Sequence, residues 1–134
     1  VEGCAVALNE ALLHRPGHGV SGQVSAWAAD AMAWAVEQGI TTGTSATTFS
    51  PDAACTRAQM ATFIYRCEQT NGGGFTGAWM FLLPFTDAPE WAYKPIAWCY
   101  KEGITSGTSA TTFSPDAPCT RAQLVTFLYR FFVK

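Results

Sequence analysis

Apolar residues along this chain recur at helical spacing rather than alternating. Between Trp27 and Gln38, the positions Trp27, Ala31, Trp34, Ala35 and Gln38 share one side of a helix, and Met32 and Val36 widen that face. Gly39 stands where a left-handed C-terminal cap belongs, and Ile40 beyond it is placed to fold back on the last turn. Small polar residues from Thr41 to Pro51 then predict a loop, punctuated by Gly43 and Pro51 and anchored by Phe49. Thr56, with Gln59 three residues on, makes a T-x-x-Q capping box that opens a second helix. Behind it Met60, Phe63, Ile64 and Cys67 form one apolar stripe.

The same pattern returns 64 residues later. Gly39 to Arg66 matches Gly103 to Arg130 at 23 of 28 positions, and the five differences keep polarity or apolar character. The offset also superposes Trp27 on Trp91 and Trp34 on Trp98, and it repeats the capping box as Thr120 and Gln123. Leu124, Phe127, Leu128 and Phe131 form the second stripe. The chain therefore divides into an N-terminal segment (1–20), a repeat (21–68), a connector (69–84) and a second repeat (85–134). A pair of short amphipathic helices cannot bury its apolar faces alone, so the fold expected is mainly α, with tandem helix-loop-helix units packed into a small helical bundle. Residues 1–20 read as a worn third repeat, a substitute helix or a truncated end. Trp79 to Leu83 in the connector is too apolar to hang in water and is expected to dock on the core or on a partner.

Composition narrows the function classes. The chain of 134 residues is 49% hydrophobic, which excludes a disordered tail, and only 13% charged against about 25% in an average soluble domain. Surfaces so poor in charge are common outside the cell. A net charge of −2 with eight scattered Lys and Arg offers no footprint for a nucleic-acid backbone or an anionic membrane, and no apolar run approaches the ~20 residues needed to span a bilayer. The first residue is Val1, as expected of a processed chain or an excised fragment.

A tryptophan-led helix, a G-I-x-x-G turn, a loop ending in F-x-P and a T-R-A-Q helix start follow one another twice. The second copy carries Phe85-Thr86-Asp87, Trp91-Ala92, Gly103-Ile104-Thr105-Ser106-Gly107, Phe113-Ser114-Pro115 and Thr120-Arg121-Ala122-Gln123, and the first carries the same elements from Trp27-Ala28 to Thr56-Arg57-Ala58-Gln59. This order resembles the S-layer homology domain over two units, about 100 of the 134 residues. The resemblance implies noncovalent anchoring of an exported protein to the bacterial cell wall, in a pseudo-threefold helical assembly whose grooves bind an anionic, often pyruvylated, secondary cell-wall polysaccharide. It implies a location at the cell surface and no cofactor. It makes Arg57 and Arg121 the anion-pairing residues, with Thr56, Thr120, Gln59, Gln123, Trp27, Trp91, Gly43 and Gly107 bordering the grooves. Three departures stand out: Gln59 and Gln123 replace the acid of the usual T-R-A-E, Ser45-Ala46-Thr47 and Ser109-Ala110-Thr111 replace an aspartate-glycine in the loop, and only two of the usual three units are recognisable.

Residue chemistry supports this in part. An arginine at the first position of a helix works against the helix dipole, yet it stands beside N–H groups that attract anions, and its fork holds a carboxylate in a bidentate grip. Taken alone, such an arginine reads first as solvated or as tying loops together through carbonyls, since surface charges rarely carry function. Trp34 and Trp98 read as core; Trp27 and Trp91 lie near the loops, where packing and a sugar platform compete. Cys55 and Cys119 occupy equivalent positions and read as small buried hydrophobes, while Cys99 lies within possible reach of Cys119. The spacing of the five cysteines contains no C-x-x-C, and Arg15-Pro16-Gly17 breaks the helix that would align His14 and His18 with Cys4 on a metal. No nucleophile elbow, phosphate loop or histidine within a repeat speaks for catalysis, and Asp52 and Asp116 read as turn residues. The rival to wall anchoring is structural self-assembly with other copies into a surface layer or filament.

Overall fold

The computed structural model describes residues 26–43, 50, 52–75 and 82–133. Among these residues the structure is helical, with α1 (Ala26–Glu37), α2 (Arg57–Thr70), α3 (Glu90–Lys101) and α4 (Arg121–Phe132) in chain order. The chain forms two compact units, 1–53 and 54–134, and the boundary falls inside the first sequence repeat.

In the first unit, α1 ends as its glycine predicts. Gly39 adopts φ +73°, its N–H donates to the Val36 carbonyl, and the Ile40 N–H reaches back to Ala35 at 2.9 Å, which is the paired bonding of a Schellman cap. The buried face differs from the expected one. Met32 and Ala33 are buried, whereas Trp34, expected in the core, is 54% exposed, and Ala31 and Gln38 on the same side are exposed too. Within this unit α1 is the one helix among the described residues, so nothing described there covers the indole.

The second unit builds its core from α2, α3 and α4. The helix of the first repeat, α2, packs Ala61, Ile64 and Tyr65 with Ile96, Ala97 and Trp98 of α3. The rings of Tyr65 and Trp98 lie 5.7 Å apart, and Trp98 meets Phe131 of α4 edge to face. Trp98 is thus core, as expected, because here a partner helix exists. The α3 terminus repeats the Schellman cap at Gly103 (φ +74°), and it drives Ile104 into the core, where Ile96, Cys99 and Phe113 are also fully buried. Each such large apolar side chain contributes roughly 1.5–3 kcal/mol. Cys99 points inward, its thiol 3.7 Å from the Ala61 carbonyl, and both it and Cys119, which the sequence suggested it could reach, are free thiols. Of the connector, Leu83 is buried and Leu82 exposed; Trp79 to Phe81 lie outside the described residues, as does the N-terminal segment with His14, His18 and Cys4.

Between α2 and the loop before α4, Thr56 and Pro118 form an isolated antiparallel bridge. The Cys119 N–H donates to the Cys55 carbonyl at 2.8 Å, and the Arg57 N–H to the Ala117 carbonyl at 3.0 Å. This short pairing sews the start of α2 to the loop of the following repeat and sets the position of the arginine beyond it.

Candidate functional site

Both second helices open on the same device. The Thr56 side chain accepts from the Gln59 N–H (3.2 Å) while the Gln59 Oε1 accepts from the Thr56 N–H (2.9 Å), and Thr120 with Gln123 closes the identical box at 3.1 Å in both directions. The box leaves Arg57 and Arg121 at the first helical position.

Identical sequence then meets different surroundings. Arg57 is 4% exposed; its Nε donates to the Phe113 carbonyl at 2.8 Å, and its guanidinium lies over the rings of Phe113 and Phe127, 4.8 and 5.5 Å from their centroids. Burial pulls the Arg57 pKa down, and the neighbouring Cys119 and Asp87 oppose that shift. Arg121 is exposed.

Phe113 is in turn held by Asp87, whose carboxylate accepts from the N–H groups of Phe113 (2.8 Å) and Ser114 (2.9 Å). Ser114 sits at φ +58°, a left-handed conformation uncommon outside glycine, and the carboxylate clamp supports it there. Desolvation pushes the Asp87 carboxyl up, but the two N–H bonds, its own N–H and the Arg57 charge together outweigh this and hold it below its ordinary value.

Arg57 lines a cleft of about 460 Å³ together with two elements of the second repeat. The G-I-T-S-G turn supplies Thr105 to Gly107, Thr108 follows it, and α4 supplies Ala122, Gln123, Thr126, Phe127 and Arg130. Arg130 Nη1 donates to the Ile104 carbonyl at 3.1 Å, tying α4 to the turn. Gly107 shapes the wall: it has φ +83°, its N–H donates to Thr105 Oγ1, and a Cβ there would strike the Phe85 ring and the Thr112 carbonyl. The cleft thus combines guanidinium groups of both repeats with hydroxyls and the electropositive first turn of α4, a set suited to a hydroxylated ligand carrying a carboxylate or phosphate.

Of the expected site residues, Arg57, Gly107 and Gln123 converge on this cleft. Thr56, Thr120 and Gln59 act as caps and are not part of its lining, and neither are Arg121 and Trp91. Trp91 is exposed at the start of α3. In the first unit, Trp27 is 87% exposed at the start of α1, and Gly43 repeats the Gly107 geometry, with φ +83° and its N–H on Thr41 Oγ1 at 3.2 Å. Sequence reasoning missed Arg130, Thr126 and the role of Asp87. The available signal for Arg130 was its recurrence as Arg66 at the end of the matched segment.

A family model for the S-layer homology domain matches residues 22–61 and 84–125. The chain belongs to the S-layer homology domain family. It is 39% identical over 94 residues to part of an endoglucanase of Bacillus sp. (strain KSM-635), a match covering 70% of this chain and 9% of that protein. It is 32% identical over 114 residues to the surface-layer 125 kDa protein of Lysinibacillus sphaericus (81% of this chain, 9% of that one). It is also 32% identical over 106 residues to the cellulosome-anchoring protein of Acetivibrio thermocellus (79% of this chain, 24% of that one). The matched region is therefore a minor part of each relative's length. S-layer homology domains are binding and anchoring modules, and membership places this chain at the cell surface.

Proposed function

We propose that this S-layer homology module holds an exported protein noncovalently to the bacterial cell wall by binding an anionic secondary cell-wall polysaccharide, with a pyruvylated sugar as the anion that the resemblance implies. The observation that carries this reading is the cleft at the junction of successive repeats, where Arg57 of one faces the turn and Arg130 of the next. The carboxylate pairs with the guanidinium groups, and Ser106, Thr108 and Thr126 meet sugar hydroxyls. Arg121 plays the part of Arg57 wherever a further repeat supplies the matching loop. The cellulosome-anchoring relative supports an attachment role. Sedimentation with purified wall sacculi, with and without their secondary polymer, tests the proposal. Polymer-dependent binding is expected, and Thr126→Glu, which places a negative charge in the cleft at an exposed position, should abolish it without lowering Tm. Binding undiminished in that variant refutes the cleft, and absence of binding by folded wild type refutes anchoring to that wall.

A specific observation favours assembly as a second reading. Val125, Leu128 and Tyr129 on α4 are exposed, while their repeat equivalents Ala61, Ile64 and Tyr65 on α2 are buried in the core shared with α3. That face fits a helix of the α3 type from another copy, a head-to-tail contact.

A further inference from the structure

We infer that Cys55 and Cys119 form a disulfide that staples the start of α2 to the loop preceding α4. Both thiols are free in this structure. They flank the antiparallel Thr56–Pro118 bridge on the same side, and the Cys119 N–H donates to the Cys55 carbonyl at 2.8 Å, so the two cysteines stand opposite each other across the pairing. Directly opposed residues of a hydrogen-bonded antiparallel pair have Cα atoms about 5.5 Å apart and side chains on one face, within the usual span of a disulfide. Their side chains share an orientation, each thiol lying near the carbonyl of the residue that follows it, Thr56 at 3.6 Å and Thr120 at 3.8 Å. The other described cysteines are placed elsewhere: Cys99 is sealed in the core and Cys67 lies in the third turn of α2.

Burial pushes both thiols up, and the proximity of Cys119 adds to this at Cys55, whereas the Arg57 guanidinium opposes it at Cys119. Cys119 is accordingly the first nucleophile toward an external oxidant, a small-molecule disulfide of the glutathione class. Its thiolate attacks one sulfur of the oxidant, forming a mixed disulfide and expelling one thiolate. The Cys55 thiolate then attacks the Cys119 Sγ and expels the second. Two cysteine thiols are oxidised by two electrons, the oxidant is reduced to two thiols, and the two protons end on those thiols. At the cell surface, where oxidising conditions let such bonds persist, the staple closes a 64-residue stretch across the repeat junction and fixes the helix start that carries Arg57.

The test is incubation of the folded chain with oxidised glutathione, followed by alkylation, non-reducing peptide mapping and thermal melting. The expected result is a peptide pair joined through Cys55 and Cys119, with a rise in Tm of roughly 10 °C that reductant reverses. The Cys55→Ser variant should instead accumulate glutathione on Cys119. A wild type that keeps both thiols alkylatable, carries glutathione on each, or joins either cysteine to another position overturns the inference. So does a reductant-sensitive Tm shift that survives in the Cys55→Ala, Cys119→Ala variant.

Discussion

Arg57 Nε and the Phe113 carbonyl, 56 residues apart in the chain, meet at 2.8 Å and join the second helix of one repeat to the loop of the next. Arg121, which begins an almost identical helix, is exposed. Arg57→Ala removes a buried charge-assisted hydrogen bond and the stacking on two phenylalanine rings, and should destabilise the chain by about 2–4 kcal/mol. Arg121→Ala should stay within about 0.5 kcal/mol. Chemical denaturation of the two variants measures the difference, and equal losses would contradict the asymmetry.

Asp87 makes the fold sensitive to acid. Its folded pKa lies below its unfolded value, so its contribution is complete above the unfolded pKa of about 3.9 and drains away as pH falls through the lower folded value. Asp87→Asn should cost about 1–2 kcal/mol at neutral pH, the low end for bonds to a charged acceptor because the carboxylate is exposed. The gap between wild type and variant should close as pH is lowered toward and below 4 in a denaturation series. A gap independent of pH would assign the stabilisation to something other than the carboxylate.

Two glycines with similar backbones should respond differently to the same change. At Gly103 (φ +74°) an added methyl would enter open space, so Gly103→Ala costs only the strain of the backbone conformation, about 1 kcal/mol. At Gly107 (φ +83°) the methyl also meets the Phe85 ring and the Thr112 carbonyl, and Gly107→Ala should lose about 2–4 kcal/mol. Paired thermal melts decide it, and a Gly107→Ala variant no worse than Gly103→Ala would mean that Phe85 yields freely.

The outer face of α4 should govern association. Sedimentation velocity across a concentration series is expected to show self-association that Tyr129→Ser with Val125→Ser reduces at least tenfold, while a monomer at every concentration would remove the assembly reading.

Features set by neighbours in the chain were legible in the sequence. The capping boxes at Thr56 and Thr120 and the turns at Gly39 and Gly103 need only residues within one helical turn, and all four stand where the sequence puts them. Features set by distant partners were not. Trp34 and Trp98 stand at equivalent repeat positions, yet one is exposed while the other is buried against Tyr65 and Phe131, residues distant from it in the chain. Arg57 and Arg121 diverge for the same reason, and Arg130 joins the cleft only through a contact 26 residues away. The repeat period told where each unit lies, but the burial of a given side chain depends on which unit stands beside it.

The glutamine in each capping box has a consequence of its own. A glutamate there would neutralise the positive end of the helix and let go of its N–H as it took up a proton in acid; Gln59 and Gln123 keep the same bonds with an amide that does not titrate. Acidification therefore acts on the Asp87 clamp and spares the two helix starts, so a wall turning sour would loosen the loop before it unfastened the helices.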